Sequence, residues 1–561
     1  MLFAVSGLLT ALICAPLLGG HLIYRDAVAV PRFALTPSAF GIDGSAPRAV
    51  PQDAVLGVAS RVVDGGWLVA LLTAAALFGA GVGYGRLARR LVPAAGAAGS
   101  AAAAVVAIWN PFVAERLLQG QWSLLIGYAA LAPIVLAVLS YASSPGRRGL
   151  ANCIALFAAA GFTPTGSVLA LIVTVVVMVA VRLPRRPAAL LLAGWLLTAS
   201  PWLVGAVVSS ASARSGGAGA FAVRAEPWLG SFGTTLGLGG IWNADAVPAS
   251  RTSWWAAVAT AAFVGVVVVG CVELLRRSTD PVVRALAMLA AVTVVLVSLA
   301  ATGPGVDLMD AALTHIPGAG LLRDTQKYLV LAVPFVAIAA AAAVARLRRL
   351  VPAGFAVSAV ALLVIAPLPD LAWGVGGAIR PVTIPSDYAA VTATIGSDGR
   401  TVALWPTSSV RTLTWTNGPS LSPLPRMVDA PIVSGAGLVV DGNTLDAPTG
   451  RDADVIASLT AGDTARLAAL GVGWVIVEES DPPPGLSPSD EMFHGEHLRL
   501  FRIPDAVPAP APSAAAWTAA ITATAAWFAA LIVGTVVGLV GAVQRRLRKT
   551  SAKPSAASDH E

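Results

Sequence analysis

The residues that could do chemistry are few, and they sit at the ends of apolar runs. The first are Arg25 and Asp26, in "IYRDAVAVPR", directly after an almost wholly apolar stretch from Leu2 to Ile23. Charge at such a place is costly unless it is paired or used. Two readings stand. As an ion pair, Arg25 and Asp26 would anchor a helix end at the lipid headgroups. As a site, a carboxylate beside an apolar bundle can take a proton from a hydroxyl or help to hold a divalent cation.

Three further segments carry polar groups. "IWNPFVAERLLQGQW" places Asn110, Glu115, Arg116, Gln119 and Gln121 between two apolar runs. Glu115 and Arg116 could pair locally, and Trp109 and Trp122 suit an interfacial aromatic belt. "LLRDTQKY" gathers Arg323, Asp324, Gln326 and Lys327. On an α-helix Arg323 and Lys327 would share a face, and an Arg fork beside a Lys point charge suits a phosphate. Cations snorkelling beside Asp324 are the plainer reading. "GGIWNADAVPASR" offers Trp242, Asn243 and Asp245, an aromatic face with polar neighbours that suits a sugar ring.

The elements that must position these residues follow from composition. The chain has 561 residues, 56% hydrophobic and only 12% charged. So few charges cannot cover a soluble protein of this size, and runs of bilayer length recur. The fold class expected is therefore a polytopic α-helical membrane protein. About twelve spans are expected, near 2–22, 66–85, 94–112, 122–141, 149–162, 165–181, 188–209, 253–275, 282–301, 328–345, 352–371 and 514–543. The first lacks a basic leader and reads as a retained span, not a signal peptide. Cys14, Cys153 and Cys271 all lie inside apolar runs and form no metal or disulfide pattern. The net charge of +7 calls for no nucleic-acid partner, because the Arg residues cluster between spans.

Those clusters set the orientation. Arg86, Arg89 and Arg90 follow the second span; Arg147 and Arg148 the fourth; Arg182, Arg185 and Arg186 the sixth. The pattern continues with Arg276 and Arg277, then Arg346, Arg348 and Arg349, and finally Arg545, Arg546, Arg548 and Lys549. Every second connection is basic, so both termini are expected in the cytoplasm of a plasma-membrane protein. The outer connections are longer: 23–65, 110–121, 210–252, 302–327 and 372–513. In the first, Pro51 to Val63 reads as an amphipathic helix lying on the outer leaflet, its stripe made of Ala54, Val55, Val58, Ala59, Val62 and Val63. The last, residues 372–513, reads as a small extracytoplasmic α/β domain. Its strands are "TVALWP", "GVGWVIVEE" and "HLRLFRIP", and "ASLTAGDTARLAALG" is one helix. Residues 1–371 form the transmembrane core and 544–561 a disordered cytoplasmic tail. No internal repeat is visible, which weakens an inverted-repeat transporter.

This layout resembles the GT-C superfamily of integral membrane glycosyltransferases, and the Ala/Val-rich, basic character looks actinobacterial. The resemblance rests on the acid in "YRDAVAVPR", the long first outer loop, the many spans and the terminal outer α/β domain. It implies that Asp26 is the catalytic base, or a ligand if a divalent metal is needed. Unlike several members of the superfamily, no second acid adjoins Asp26, which weighs against a metal requirement. No other cofactor is implied. The resemblance implies a polyprenyl-phosphate-linked sugar donor, a glycan or glycolipid acceptor and membrane lipids as partners, in cell-envelope assembly. Arg323 and Lys327, with Arg116 and Arg25, are expected at the donor phosphate. Asn110, Glu115, Gln119, Trp242, Asn243, Asp245, Asp324 and Gln326 are expected around the substrates. A carrier of lipid-linked sugars and a non-catalytic assembly protein are the competing classes.

Overall fold

The computed structural model describes residues 1–208, 216–397, 399–435, 437–440, 443–508 and 510–551. Its helical part runs through α1 (Leu2–Cys14), α2 (Gln52–Ala59), α3 (Gly65–Leu91), α4 (Gly96–Ile108), α5 (Pro111–Leu118), α6 (Leu124–Ser143), α7 (Arg147–Ala160), α8 (Pro164–Ala180) and α9 (Arg185–Val208). The later long helices are Trp255–Arg277, Pro281–Leu299, Val333–Leu347, Ala353–Ile365 and Ala514–Ser551. Eight helices among the described residues are long and apolar enough to cross a bilayer, and the molecule is a multi-pass helical membrane protein. Of the remaining expected spans, Leu2–Leu17 and Pro164–Ala180 are apolar but shorter, and α7 has 14 residues. The run expected at 352–371 bends by 80° after Ile365. The tail expected to be disordered from 544 continues the last helix to Ser551; residues 552–561 lie outside the described residues, as do 209–215, the start of the connection 210–252 and the residue before it.

The two most interior spans carry the polar segments. In the apolar window of the span Pro93–Leu118, 94% of the residues are buried, and in that of Thr325–Leu347 89%, against 22% for the last helix. Small residues make this interior possible. The helix Trp255–Arg277 packs so closely on Val333–Leu347 that a Cβ on Gly270 would lie 1.9 Å from the Ala339 carbonyl oxygen.

Two expectations about the membrane interface are corrected. Trp109 and Trp122 are buried, not belt residues, and Trp109 Nε1 donates to the Leu368 carbonyl at 2.9 Å. The helix of the first loop ends at Ala59, and its packed face is Gln52, Ala54, Leu56 and Gly57. Val58 is exposed on that helix, and Val62 and Val63 are exposed in the turn that follows it. The reason is Leu35, which packs so tightly on Gly57 that a Cβ there would lie 2.3 Å from Leu35 Cδ2.

The C-terminal sheet region has five strands in the order β10–β11–β9–β3–β6. These are β3 (Thr401–Trp405), β6 (Ile432–Val433), β9 (Val472–Glu478), β10 (Glu491–His494) and β11 (Leu498–Arg502). Strand β3 runs parallel to β6 and β9, and β11 lies antiparallel to β9. Every residue of β9 is buried, as a central strand covered on both faces must be. Tyr388, Val391 and Ile395 cover one face, and Val455, Leu459 and Leu467 the other. The single helix expected across "ASLTAGDTARLAALG" is two, Arg451–Ala461 and Thr464–Ala469. Gly462 takes φ +75° between them and Asp463 caps the second, its Oδ1 accepting from the Arg466 N–H at 2.8 Å. Three two-stranded ribbons complete the fold: β1 (Ile23–Tyr24) with β2 (Ala27–Val28), β4 (Val410–Arg411) with β5 (Ser420–Leu421), and β7 (Leu438–Val440) with β8 (Asn443–Leu445).

Candidate active site

Arg25 and Asp26 form the two-residue turn of the β1–β2 hairpin, where Tyr24 pairs with Ala27. Arg25 takes φ +50°, and backbone hydrogen bonds hold the turn from two sides. The Asp26 N–H donates to the Gln119 carbonyl at 3.1 Å. The Arg25 N–H donates to Pro419 O at 2.8 Å, and the Leu421 N–H donates to Arg25 O at 3.1 Å, so β5 docks on the turn. Gly120, at φ +81°, is required below it: a Cβ there would lie 2.3 Å from Ala27 N. The Arg25 guanidinium donates to the carbonyls of Leu118 at 2.8 Å and Asp245 at 2.6 Å, and lies over the Tyr24 ring. It makes no ion pair with Asp26, so the anchor-pair reading fails. Its donors serve the two loops, which also corrects its expected place at a phosphate.

Beneath the turn lies a polar network that is buried except at its Gln121 edge. Asn110 and Pro111 break the third apolar run: Asn110 Oδ1 caps α5 by accepting from the Val113 N–H at 3.1 Å, and its Nδ2 donates to Val106 O. Asn110 is therefore a structural break, not a substrate contact. Glu115 and Arg116 do not pair with each other. Glu115 accepts from the N–H groups of Gly240 and Ile241 at 2.9 and 3.1 Å and from Gln326 Nε2 at 2.9 Å. Arg116 grips Asp324 with two nitrogens at 2.8 and 3.2 Å, donates to Gln121 Oε1 at 2.6 Å, and binds Gln326 Oε1. Glu115, Arg116 and Gln326 have no exposed surface. Their expected roles at substrate or phosphate give way to holding α5, the 237–245 loop and the 323–328 segment together. A guanidinium satisfies such a cluster because it offers five donors in one plane.

The sugar-ring candidates stand beside this network. Asn243 Nδ2 donates to Gln119 Oε1 at 2.8 Å, and the Asp245 N–H donates to Asn243 Oδ1 at 3.1 Å. Trp242 packs on Phe221, whose ring also faces the Arg323 guanidinium at 3.9 Å. Asp245 is exposed, and Trp242 and Asn243 are half-buried.

Arg323 and Lys327 do not share a face. The segment Thr325–Ala332 is a 3₁₀-helix, which eclipses residues three apart. Lys327 therefore returns to Asp324, Nζ to Oδ2 at 3.5 Å, with its side chain 24% exposed. Arg323 turns away to Asp446, just after β8, and grips both carboxylate oxygens at 2.7 and 2.8 Å. Arg48 adds a further donor to Asp446 at 2.8 Å. Burial alone would push the Asp446 carboxyl up, but the two guanidiniums outweigh it and hold it at about 2. Its folded value lies below the ordinary 3.8, so the latch stabilises the fold above about pH 4 and is lost as pH falls through about 2. Asp446→Asn is expected to lower the melting temperature at pH 6, and the gap from wild type to close as the pH approaches 2. Equal melting at pH 6 would deny the latch any stabilising role.

The chemistry the arrangement offers is a carboxylate and an ammonium at the edge of a buried polar floor. Asp26 is half-buried, and Gln121 Nε2 donates to its Oδ2 at 3.0 Å. Lys327 acts on it electrostatically. No group of three or more His, Cys, Asp or Glu that could hold a metal occurs among the described residues. Asp26 has a cation and an amide beside it, not a second acid, so the donor set does not fit a divalent ion. Gln121 and Asp446 went unassigned in the sequence. Gln121 stands two residues from Gln119 in the same polar segment, whereas nothing local marks Asp446.

No family model matches the sequence, and no curated protein matches it. The fold does have solved counterparts. It superposes on the arabinofuranosyltransferase AftD from Mycobacteria with a TM-score of 0.55 at 17% identity, over 90% of this chain and 39% of that one. A mutant form of the same enzyme gives 0.51 at 15% identity, over 90% and 41%. ArnT from Cupriavidus metallidurans is a looser likeness, with a TM-score of 0.35 at 12% identity, over 91% of this chain and 99% of that one. The chain spans about two fifths of the length of AftD. The chain therefore shares the fold of this part of the mycobacterial arabinofuranosyltransferase over nine tenths of its own length.

Proposed function

We propose that this chain is an inverting glycosyltransferase that uses a polyprenyl-phosphate-linked sugar at the outer face of the plasma membrane, in cell-envelope glycan or glycolipid assembly. The carrying observation is Asp26, a half-buried carboxylate with one oxygen tethered by Gln121 and Lys327 nearby, at a clamped turn of a GT-C fold. The acceptor hydroxyl attacks the anomeric carbon and its proton passes to Asp26. The bond from that carbon to the phosphate oxygen breaks, and its electron pair leaves with the carrier phosphate. The Lys327 ammonium stabilises the charge that builds on that leaving group. One base and one displacement invert the anomeric centre. Alternation of basic connections supports outer sidedness for the Asp26 turn and the sheet region, with both termini cytoplasmic. An arabinofuranosyl donor, as named for AftD, is the first to assay; the sheet region, docked on the Asp26 turn through β5, is suited to present the acceptor.

Lys327→Ala tests the phosphate site. Loss of a charge-assisted contact is worth roughly 10- to 100-fold, so kcat/KM for the polyprenyl donor should fall by about that factor in purified protein. An unchanged kcat/KM would remove Lys327 from the donor site.

A further inference from the structure

We infer that Gln121 is the positioning residue for Asp26, an inference that rests on the reading of Asp26 as the base. Gln121 stands between a group that can only donate and a group that, ionised, can only accept. Arg116 Nη1 donates to Gln121 Oε1 at 2.6 Å, and a guanidinium has no acceptor. The amide oxygen must therefore face Arg116, and Nε2 must face Asp26, where it donates to Oδ2 at 3.0 Å. The flipped amide would lose both hydrogen bonds and set like partial charges against each other. Arg116 cannot swing to accommodate a flip, because Asp324 and Gln326 hold both of its terminal nitrogens in a site without exposed surface. The Gln121 N–H also donates to Arg116 O at 2.8 Å, which fixes the backbone between them.

The consequence is a chain of 208- and 95-residue contacts ending on a single oxygen. Asp324 aims Arg116, Arg116 aims the Gln121 amide, and the amide tethers Oδ2. Oδ1 has no hydrogen bond among the described residues and is left for a substrate hydroxyl. The neutral amide matters. A guanidinium placed directly on Asp26 would occupy both oxygens and depress its basicity, whereas an amide orients the carboxylate and leaves it a base. The other charges around the site are Lys327, which acts on Asp26 directly, Asp324, which holds both Arg116 and Lys327, and Arg25, whose guanidinium is turned to the Leu118 and Asp245 carbonyls. Strand β5 brings backbone groups and Ser420.

The variants Gln121→Glu and Gln121→Leu separate the two ends of the amide. Glu keeps an acceptor for Arg116 but sets a negative charge against Asp26. Leu removes both contacts. In full-length protein in detergent, the pH midpoint for carbodiimide modification of Asp26, read by mass spectrometry, reports its protonation without any transfer assay. Both variants are expected to move that midpoint to higher pH, Glu further than Leu, since each withdraws support from the ionised form. With transfer measured, kcat should fall roughly 10- to 100-fold while donor KM stays near wild type. The acid limb of the Gln121→Glu profile should move to higher pH, and its melting temperature should stay near wild type. A Gln121→Glu protein with an unshifted midpoint and wild-type kcat overturns the inference, because Gln121 would then merely satisfy Arg116. If the midpoints shift but wild type transfers no sugar, the glycosyltransferase reading fails and the tether stands. If wild type transfers sugar and the midpoints do not move, the tether alone fails.

Discussion

Asp26→Asn is expected to give a folded, membrane-inserted protein that transfers sugar at least about 10²-fold more slowly than wild type, the lower range for loss of a general base. The fold should tolerate the change. Asp26 makes no ion pair among the described residues, its backbone N–H holds the turn to Gln119, and an Asn oxygen can still accept from Gln121. Complementation of a deletion strain, with both proteins at equal membrane abundance and the envelope glycolipids profiled by mass spectrometry, reads the outcome. Accumulation of the under-glycosylated acceptor by the mutant supports base catalysis. A wild-type profile removes Asp26 from the chemistry and favours a carrier or scaffold role.

Arg116→Met is expected to destabilise the protein more than Asp26→Asn, Lys327→Ala or Asp446→Asn. The guanidinium is completely enclosed, and its removal leaves the Asp324 carboxylate buried with Lys327 at 3.5 Å as its remaining ion partner. Gln121 and Gln326 lose their donor as well. Breaking one side of a buried pair costs about 3–5 kcal/mol, whereas replacing both sides with apolar groups can be close to neutral. Thermal unfolding in detergent should therefore show a large drop for Arg116→Met and a clearly smaller one for Arg116→Met with Asp324→Leu. Equal losses in the single and double variants would mean that the pair carries no coupling. Activity separates this residue from Lys327. Arg116 acts through Asp324 and Gln121, so its loss should affect assembly before it affects donor affinity.

The Asp446 latch belongs to the same logic at lower stakes. Asp446 and its two arginines tie the region after β8 to the 323 segment and to the first loop. Arg323, which reads as a phosphate ligand from its neighbours in sequence, turns both terminal nitrogens to Asp446 and lies against Phe221. An exposed cation near a membrane surface suggests a lipid phosphate only until its carboxylate is located.

Some of this protein was legible in its residues one segment at a time. Apolar runs of bilayer length, basic clusters at every second connection and short strand-like runs in the last third are local signals. They specify a helical membrane protein with a sheet region because every backbone group in lipid must be satisfied within its own helix. The polar segments that build the candidate site were visible for the same reason: charge is conspicuous where almost none is tolerated. What each polar residue binds was not legible. Glu115 and Arg116 are neighbours in sequence yet reach the 240 loop and Asp324; Arg116 and Asp324 are 208 residues apart, Arg323 and Asp446 123, and Asp26 and Gln121 95. The 3₁₀ geometry that separates Arg323 from Lys327 is likewise set by packing, since the same residues on an α-helix would share a face. A buried polar group is relieved by whichever donor or acceptor the chain's path delivers to it, and that path is a property of the assembled bundle. Residue type therefore determined where charge would matter, and only the tertiary structure decided which charges remain open to a substrate.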